Sequence, residues 1–251
     1  MIGIFDSGAG GLSVLKELVQ LMPHEHYLYY ADSANCPYGD KDREFIISRS
    51  LSISQMLVER GAGLIVVACN TATAAAISTL RAKWPALPFV GMEPAVKPAA
   101  LNTRTGVVGV LATAGTLKGG NYLDLREKYS HEVRVEEHIG RGFVELVERG
   151  ELSGERAEAV VRDALEPLLS KGADTLVLGC THYPFLKDVI AKVAAELSPD
   201  KPVKIINPAP AVAAQAKRLY RGGDALEEAR VEFASSADNI ELLERLYALG
   251  R

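Results

Sequence analysis

Short apolar runs alternate with longer amphipathic stretches along nearly the whole chain. Four of the apolar runs are IGIF, GLIVVAC, GVVGVLAT and DTLVLGC, and each leads into a stretch of ten or more residues with helical spacing. Strands that are buried on both faces of a parallel sheet read as continuous apolar runs, and helices connect them. The pattern therefore predicts an α/β fold of mostly parallel sheets flanked by helices.

The first half of the chain is echoed in the second. Residues 2–15 and 107–120 both read as an apolar strand followed by a turn of small residues, and 63 positions separate Asp6 from Cys69, against 67 from Thr113 to Cys180. We therefore expect two pseudo-symmetric lobes. Because ligands of open α/β sheets bind beyond the carboxyl ends of the strands, the active site is expected in the cleft between them.

Two proline-bearing stretches, 91–99 and 206–213, suit crossings between the lobes. They place the first lobe at residues 1–93 plus 207–251 and the second at residues 94–206. The length of 251 residues is sufficient for this arrangement.

Two of the three cysteines follow apolar strands, in ACNTAT (Cys69) and LGCTHYP (Cys180). Amides at the start of a helix favour a thiolate there. A lone cysteine is more often a small buried apolar residue, but a matched pair at equivalent points favours a functional interpretation. Two facing thiols can remove a proton from one side of a carbon acid and return one on the other, which inverts the centre without a cofactor.

Other residues near these turns are candidates for the same site. Asp6 is either a base, a partner for an ammonium group or a helix cap. His182 is placed to orient a group or relay protons. Neutral hydrogen-bonding groups that suit a carboxylate are Asn70, Thr71 and Thr181, and candidates to line the cleft are Tyr38 and Gly39.

Composition excludes several classes of function. The net charge is −4 and no basic run is present, so neither nucleic acid nor a membrane is expected as a partner. Three cysteines without a CxxC pair predict neither a disulfide framework nor a metal site, and Cys36 is interpreted as a packed thiol. The N-terminus lacks a secretory pattern, so a reducing cytoplasm is expected. No lysine lies in a recognisable cofactor motif, and no cofactor is predicted.

These motifs together resemble the glutamate racemases, cofactor-independent members of the aspartate/glutamate racemase superfamily that supply D-glutamate for peptidoglycan synthesis. The resemblance extends over nearly the whole chain. Its motifs are GIFDSGAGGLSVL, PYG at 37–39, ACNTAT, GMEPAVKPA, LVERGEL at 146–152 and LGCTHYPFL.

The resemblance implies roles for individual residues. Cys69 would deprotonate the D-isomer and Cys180 the L-isomer, with Asp6 assisting the first thiol and His182 the second. Glu148 would be a further acidic catalytic group, although its spacing alone predicts a surface helix residue. The substrate's carboxylates and ammonium would be held by Asp6, Ser7, Tyr38, Gly39, Asn70, Thr71, Thr113, Thr116 and Thr181. The family's homodimers imply a homodimer here.

The chain departs from the family pattern at three places. The segment HIGRGF at 138–143 stands where a Cys–Pro pair is usual, and ADSANCPYG replaces a turn closer to GDTARxPYG. Asn207 replaces a more usual aspartate. The first two departures concern the surroundings of the cleft and the oligomer contacts, and none removes a thiol.

Three alternatives stay open at this point. The chain is a racemase of a related amino acid such as aspartate, a hydrolase or lyase with Cys180 as nucleophile and His182 as its base, or a binding module without catalysis. The hydrolase predicts a covalent adduct and no need for Cys69, and a binding module needs neither thiol.

Overall fold

The computed structural model describes residues 1–223 and 226–249. The chain divides into two compact units, Met1–Met92 with Ala209–Arg251, and Glu93–Pro208. The breaks predicted from the sequence, after residues 93 and 206, fall one and two residues from these.

Every pairing between strands of the described residues is parallel. The first unit holds a five-stranded sheet and the second a four-stranded sheet in the part of the chain that is described. The strands are β1 (Ile2–Asp6), β2 (His26–Ala31), β3 (Leu64–Val67), β4 (Phe89–Gly91), β5 (Val107–Ala112), β6 (Arg134–Ile139), β7 (Thr175–Gly179), β8 (Lys204–Ile206) and β9 (Arg230–Ser235).

Helices connect the strands in both units. In the first unit they are α1 (Leu12–Leu21), α2 (Arg43–Glu59), α3 (Asn70–Lys83), α10 (Ala209–Leu219) and α11 (Ile240–Ala248). In the second unit they are α4 (Val96–Ala100), α5 (Ala114–Leu117), α6 (Gly120–Tyr129), α7 (Phe143–Glu148), α8 (Glu155–Leu169) and α9 (Lys187–Leu197). No helix within residues 1–223 and 226–249 is both long and apolar enough to cross a membrane.

The two sheets share one topology. The first has the order β4-β3-β1-β2-β9, and the second, read in the same sense, has the order β8-β7-β5-β6. Without β9 the two orders correspond strand by strand, so the internal echo in the sequence reflects a repeated architecture. The predicted fold class, two mostly parallel sheets flanked by helices, is confirmed.

β1 in the first sheet and β5 in the second, which correspond in the shared topology, each carry a glycine under a closely packed helix. A Cβ added at Gly3 of β1 would lie 3.2 Å from side-chain atoms of Leu57 and Ala62, and one at Gly109 of β5 would lie 2.7 Å from Leu176 and 3.2 Å from Leu168. Leu57 belongs to α2 and Leu168 to α8. A larger residue at either glycine would therefore push α2 away from β1 or α8 away from β5.

Two strands that the apolar pattern did not predict, β6 and β9, lie at sheet edges. In both, polar and charged residues interrupt the apolar ones, as in RVEEHI and RVEFAS. Edge strands are less buried and tolerate charges, so they lack the continuous apolar run by which inner strands are found.

A buried carboxylate holds the loop at residues 103–105, which precedes β5. Asp174 is 4% exposed and accepts hydrogen bonds from Thr103 Oγ1 at 2.6 Å, from the backbone N–H groups of Arg104 and Thr105 at 2.8 and 3.0 Å, and from Thr175 Oγ1 at 3.1 Å. Burial raises the pKa of Asp174, but these hydrogen bonds to the charged form lower it by more, so the net pKa lies below its ordinary value.

We predict that Asp174→Asn lowers the free energy of unfolding at pH 7 by about 1–3 kcal/mol, because an amide turns an NH₂ group toward donors. Because the pKa of Asp174 is lower in the folded protein, its carboxylate contributes fully to stability at pH values above the unfolded pKa of about 4. This contribution is lost as the pH falls through the folded pKa. The difference between the variant and the native chain should therefore shrink on acidification.

Urea unfolding at pH 7 and pH 3 measures this. Asp163→Asn on the exposed side of α8 is the matched control and should change neither value. Equal stabilities of the Asp174→Asn and native chains at pH 7 would contradict the prediction.

Candidate active site

Cys69 lies where β3 ends and α3 begins. It is the N-cap of α3, 5% exposed, and its Sγ accepts a hydrogen bond from the backbone N–H of Ala72 at 3.4 Å. A helix N-terminus presents free N–H groups and the positive end of the helix dipole, both of which stabilise a thiolate. The predicted strand–cysteine–helix turn is therefore present here.

Asp6 and Ser7 lie beside this thiol because β1 and β3 are neighbours in parallel register, with Phe5 opposite Val67. Ser7 Oγ lies 3.8 Å from Cys69 Sγ and donates to Asp6 Oδ1 at 3.4 Å. Asp6 is fully buried and also accepts from Gly11 N at 2.7 Å. We call Asp6, Ser7, Cys69, Asn70 and Thr71 the Cys69 cluster.

Asn70, the first residue of α3, has an unusual environment. It is 4% exposed, yet among the described residues neither Oδ1 nor Nδ2 has a hydrogen-bond partner. Buried amides are normally paired, and an unpaired one costs free energy in the ligand-free protein. Both atoms are thus available to a ligand that brings a donor and an acceptor.

Tyr38 and Gly39 lie in the loop after β2, and Tyr38 is buried. The Tyr38 hydroxyl donates to Asp32 Oδ2 at 2.5 Å, and Arg49 donates to both oxygens of Asp32, from Nε at 2.9 Å and Nη2 at 2.7 Å. We call Asp32, Tyr38 and Arg49 the Asp32 cluster. Neither Asp32 nor Arg49 was predicted as a site residue, although the position of Asp32 directly after an apolar strand was a signal for it.

Cys180 follows β7 directly, but no α-helix begins there, contrary to the expectation. A 3₁₀ turn at Tyr183–Leu186 follows, and α9 begins only at Lys187. Pro184 supplies no backbone N–H and occupies the start of the turn. Cys180, 7% exposed, is therefore not an α-helix cap as Cys69 is.

His182 and Glu148 support Cys180 instead. Cys180 Sγ lies 3.7 Å from His182 Nδ1, and His182 Nε2 lies 2.7 Å from Glu148 Oε1. An ionised carboxylate only accepts hydrogen bonds, so Nε2 carries the hydrogen and a neutral ring keeps Nδ1 as acceptor for the thiol proton. We call Glu148, Cys180, Thr181 and His182 the Cys180 cluster.

Glu148 is not the surface residue that its spacing predicted. It is the last residue of α7, and its side chain is 19% exposed. The rings of Phe143 at the start of α7 and Tyr183 after the cysteine turn pack edge to face, with centroids 4.8 Å apart. The Tyr183 hydroxyl also donates to the Gly140 carbonyl at 3.3 Å, so the segment that carries Glu148 is fixed beside the turn that carries His182.

Three of the four predicted threonines, Thr113, Thr116 and Thr181, lie at the carboxyl edge of the second sheet. Thr113 follows β5 and caps α5, where its Oγ1 accepts from Thr116 N at 3.2 Å and lies 2.9 Å from Thr116 Oγ1. Thr181 follows Cys180 and is buried. Because β5 and β7 pair with Ala112 opposite Gly179, the Thr113 turn and the Cys180 turn leave the sheet side by side.

The sequence matches a family model described as Asp/Glu/Hydantoin racemase over residues 2–216. The chain belongs to this family. A glutamate racemase of Ectopseudomonas mendocina is 51% identical over 218 residues, which cover 87% of this chain and 81% of the relative. One of Herpetosiphon aurantiacus is 47% identical over 241 residues, covering 94% and 92%.

Solved structures of family members extend this similarity to the fold. Escherichia coli glutamate racemase, in complex with L-glutamate and the activator UDP-MurNAc-ala, superposes with a TM-score of 0.85 at 34% identity and covers 98% of this chain and 94% of its own. The Francisella tularensis enzyme, in complex with D-glutamate, gives 0.81 at 29% identity and covers 98% and 92%. The resemblance drawn from the motifs is confirmed at the level of the racemase family.

We predict that Asn70→Leu leaves the ligand-free protein at least as stable as the native chain, since it removes two unpaired buried polar atoms while filling similar space. Thr73→Val, one turn further along α3, is the matched comparison. Thr73 Oγ1 donates to the Val67 carbonyl at 3.2 Å and accepts from Met92 N at 3.0 Å, so its loss should cost about 1–3 kcal/mol.

Thermal and urea unfolding of both variants, without added ligand, measure the difference. A loss of stability in Asn70→Leu as large as that in Thr73→Val would show that the amide of Asn70 is stabilised within the protein.

Proposed function

We propose that this chain interconverts L-glutamate and D-glutamate by proton transfer at Cα, with Cys69 and Cys180 as the two acid–base groups. One observation carries the proposal. Each unit places one cysteine after the carboxyl end of a corresponding strand, Cys69 after β3 and Cys180 after β7. The curated relatives that are glutamate racemases, at about half identity over most of the chain, support glutamate as the substrate.

The reaction balances with two thiols and no redox change. One cysteine, as thiolate, takes the Cα proton from one face and becomes a thiol. The other, as thiol, gives its proton to the opposite face and becomes a thiolate. Cys180 takes the proton from L-glutamate and Cys69 takes it from D-glutamate, so the protonation states of the two cysteines are exchanged at the end of each turnover.

Each cluster supports its thiol in a different way. Cys69 has the Ala72 N–H and, through Ser7, the carboxylate of Asp6. Cys180 has the His182 ring, held by Glu148. Proton transfer by positioned side chains of this kind contributes roughly 10²–10⁴-fold to a rate.

Neutral groups bind the charged ends of the substrate in this proposal. The unpaired amide of Asn70 supplies a donor and an acceptor, and Thr71 and Thr181 are buried hydroxyl residues next to the two cysteines. Ser7, Thr113, Thr116, and the turn of Tyr38 and Gly39 complete the set, with Asp6 as partner of the ammonium group. Glutamate and aspartate differ by one methylene, so turnover of both pairs of enantiomers decides between them.

In this proposal the enzyme works in the cytoplasm as a homodimer. Its product, D-glutamate, is used for peptidoglycan synthesis. None of the three cysteines, all of which lie within the described residues, forms a disulfide. Sedimentation of the purified protein tests the dimer.

A second function is favoured by one observation, the chain Cys180–His182–Glu148. A thiol, an imidazole and a carboxylate in this order are also the parts of a cysteine nucleophile with its base and orienting acid. A hydrolase or lyase of this kind forms a covalent adduct on Cys180 and does not use Cys69. Mass spectrometry after incubation with substrate distinguishes it from a racemase, which forms no adduct.

We predict that Cys69→Ala and Cys180→Ala each lower glutamate racemisation at least 1,000-fold, since each removes one of the two proton carriers. In D₂O, Cys69→Ala should still exchange the Cα proton of L-glutamate slowly and without inversion. Cys180→Ala should do the same with D-glutamate only.

Circular dichroism follows inversion, and mass spectrometry follows deuterium at Cα. Ser52→Ala, at an exposed position of α2, is the control and should keep its activity. Undiminished racemisation by Cys69→Ala would exclude the two-thiol mechanism.

A further inference from the structure

The loop between β2 and α2 is held by a buried ion pair that no role described so far requires. Asp32 follows β2 directly and is fully buried, and the Arg49 side chain reaches it from α2 with 30% exposure. The two hydrogen bonds between them, at 2.7 and 2.9 Å, make a bidentate pair. Such a pair fixes orientation as well as charge.

Asp32 contacts two parts of the proposed substrate site in the first unit, the end of β1 at Asp6 and the turn at Tyr38. Its backbone N–H donates to the Asp6 carbonyl at 2.9 Å, and its carboxylate accepts from the Tyr38 hydroxyl at 2.5 Å. Asn35 adds a hydrogen bond to Asp32 Oδ1 at 3.0 Å and lies in the same loop. One side chain thus links the strand end that carries Asp6 to the turn that carries Tyr38 and Gly39.

The Tyr38 hydroxyl is occupied by this contact. Burial, followed by the hydrogen bond to Asp32, raises the pKa of Tyr38, so the phenol stays protonated and donates. Burial also raises the pKa of Asp32, but the hydrogen bonds from Arg49, Tyr38 and Asn35 lower it by more, so the group is a carboxylate and accepts. The hydroxyl therefore anchors the turn and the ring packs in the apolar core, which leaves the backbone of the turn to meet a ligand.

We propose that Asp32 and Arg49 are positioning residues for substrate binding, which hold the Tyr38–Gly39 turn at a fixed distance from Asp6. This inference rests on the proposed function. A turn that is no longer anchored binds glutamate weakly, whereas the two thiols and their partners are untouched. The effect is thus expected in KM more than in kcat.

The first test compares steady-state racemisation of glutamate by Asp32→Asn, Arg49→Met and Arg49→Lys. The first two should raise KM at least tenfold with kcat within threefold of the native value. Arg49→Lys should fall between, because one ammonium group cannot reproduce the planar two-point contact. Arg43→Met, on an exposed position of the same helix, is the matched control and should change neither constant.

A double-mutant cycle separates anchoring from direct contact with the substrate. If the Tyr38 hydroxyl acts only through Asp32, the effects of Tyr38→Phe and Asp32→Asn on KM will be strongly non-additive. Additive effects, or KM values for Asp32→Asn and Arg49→Met within twofold of the native one, would overturn the proposal.

Hydrogen–deuterium exchange tests the anchoring without activity. Amides of residues 33–42 should exchange at least tenfold faster in Arg49→Met than in Arg43→Met, with the rest of the first unit unchanged. If the native protein fails to deuterate glutamate at Cα, the proposed function is refuted. The amide exchange of residues 33–42 then still decides whether Arg49 anchors this loop. Equal exchange in the two variants would refute the anchoring even if racemisation is found.

Discussion

Parallel pairing of two neighbouring strands is the constraint on which both clusters depend. In a parallel sheet the carboxyl ends of adjacent strands leave at the same edge, and the register decides which residues meet there. With Phe5 opposite Val67, Asp6 and Ser7 come beside Cys69, and with Ala112 opposite Gly179, Thr113 comes beside the Cys180 turn. A slip of one residue would reverse the side chains at this edge and separate the groups.

The repeated topology does not make the two clusters chemically identical. Cys69 caps a helix of fourteen residues, whereas Cys180 lies three residues before a 3₁₀ turn and is supported by an imidazole. An aspartate ends β1, where β5 ends in Ala112. The second unit replaces the missing carboxylate with Glu148, delivered by a different element, α7. The corresponding edges of the two sheets thus support a thiol through different neighbours.

The sequence was sufficient for the inner strands, for the helices that follow the apolar runs (α1, α3, α6 and α9) and for the Cys69 turn, because these depend on local apolar runs and on spacing. It was insufficient where a residue's environment is set by distant parts of the chain. Glu148 reads as a surface residue until Phe143 and Tyr183 meet, and Arg49 reads as one of many charges on α2 until Asp32 lies beneath it. The edge strands β6 and β9 were missed because charges interrupt their apolar positions. The unpaired amide of Asn70 is a property of packing, which no local pattern contains.

The contact between Gly140 and Tyr183 has an evolutionary consequence. A Cβ at position 140 would lie 2.5 Å from the Tyr183 hydroxyl, so no other residue fits there while this ring keeps its place. Tyr183 is one residue after His182, and Gly140 is three residues before the helix that ends in Glu148. Position 140 can therefore gain a side chain only after the Tyr183 ring has been replaced or repacked, whereas position 183 can change while Gly140 stays. Such interdependence restricts the order in which substitutions accumulate around the second thiol.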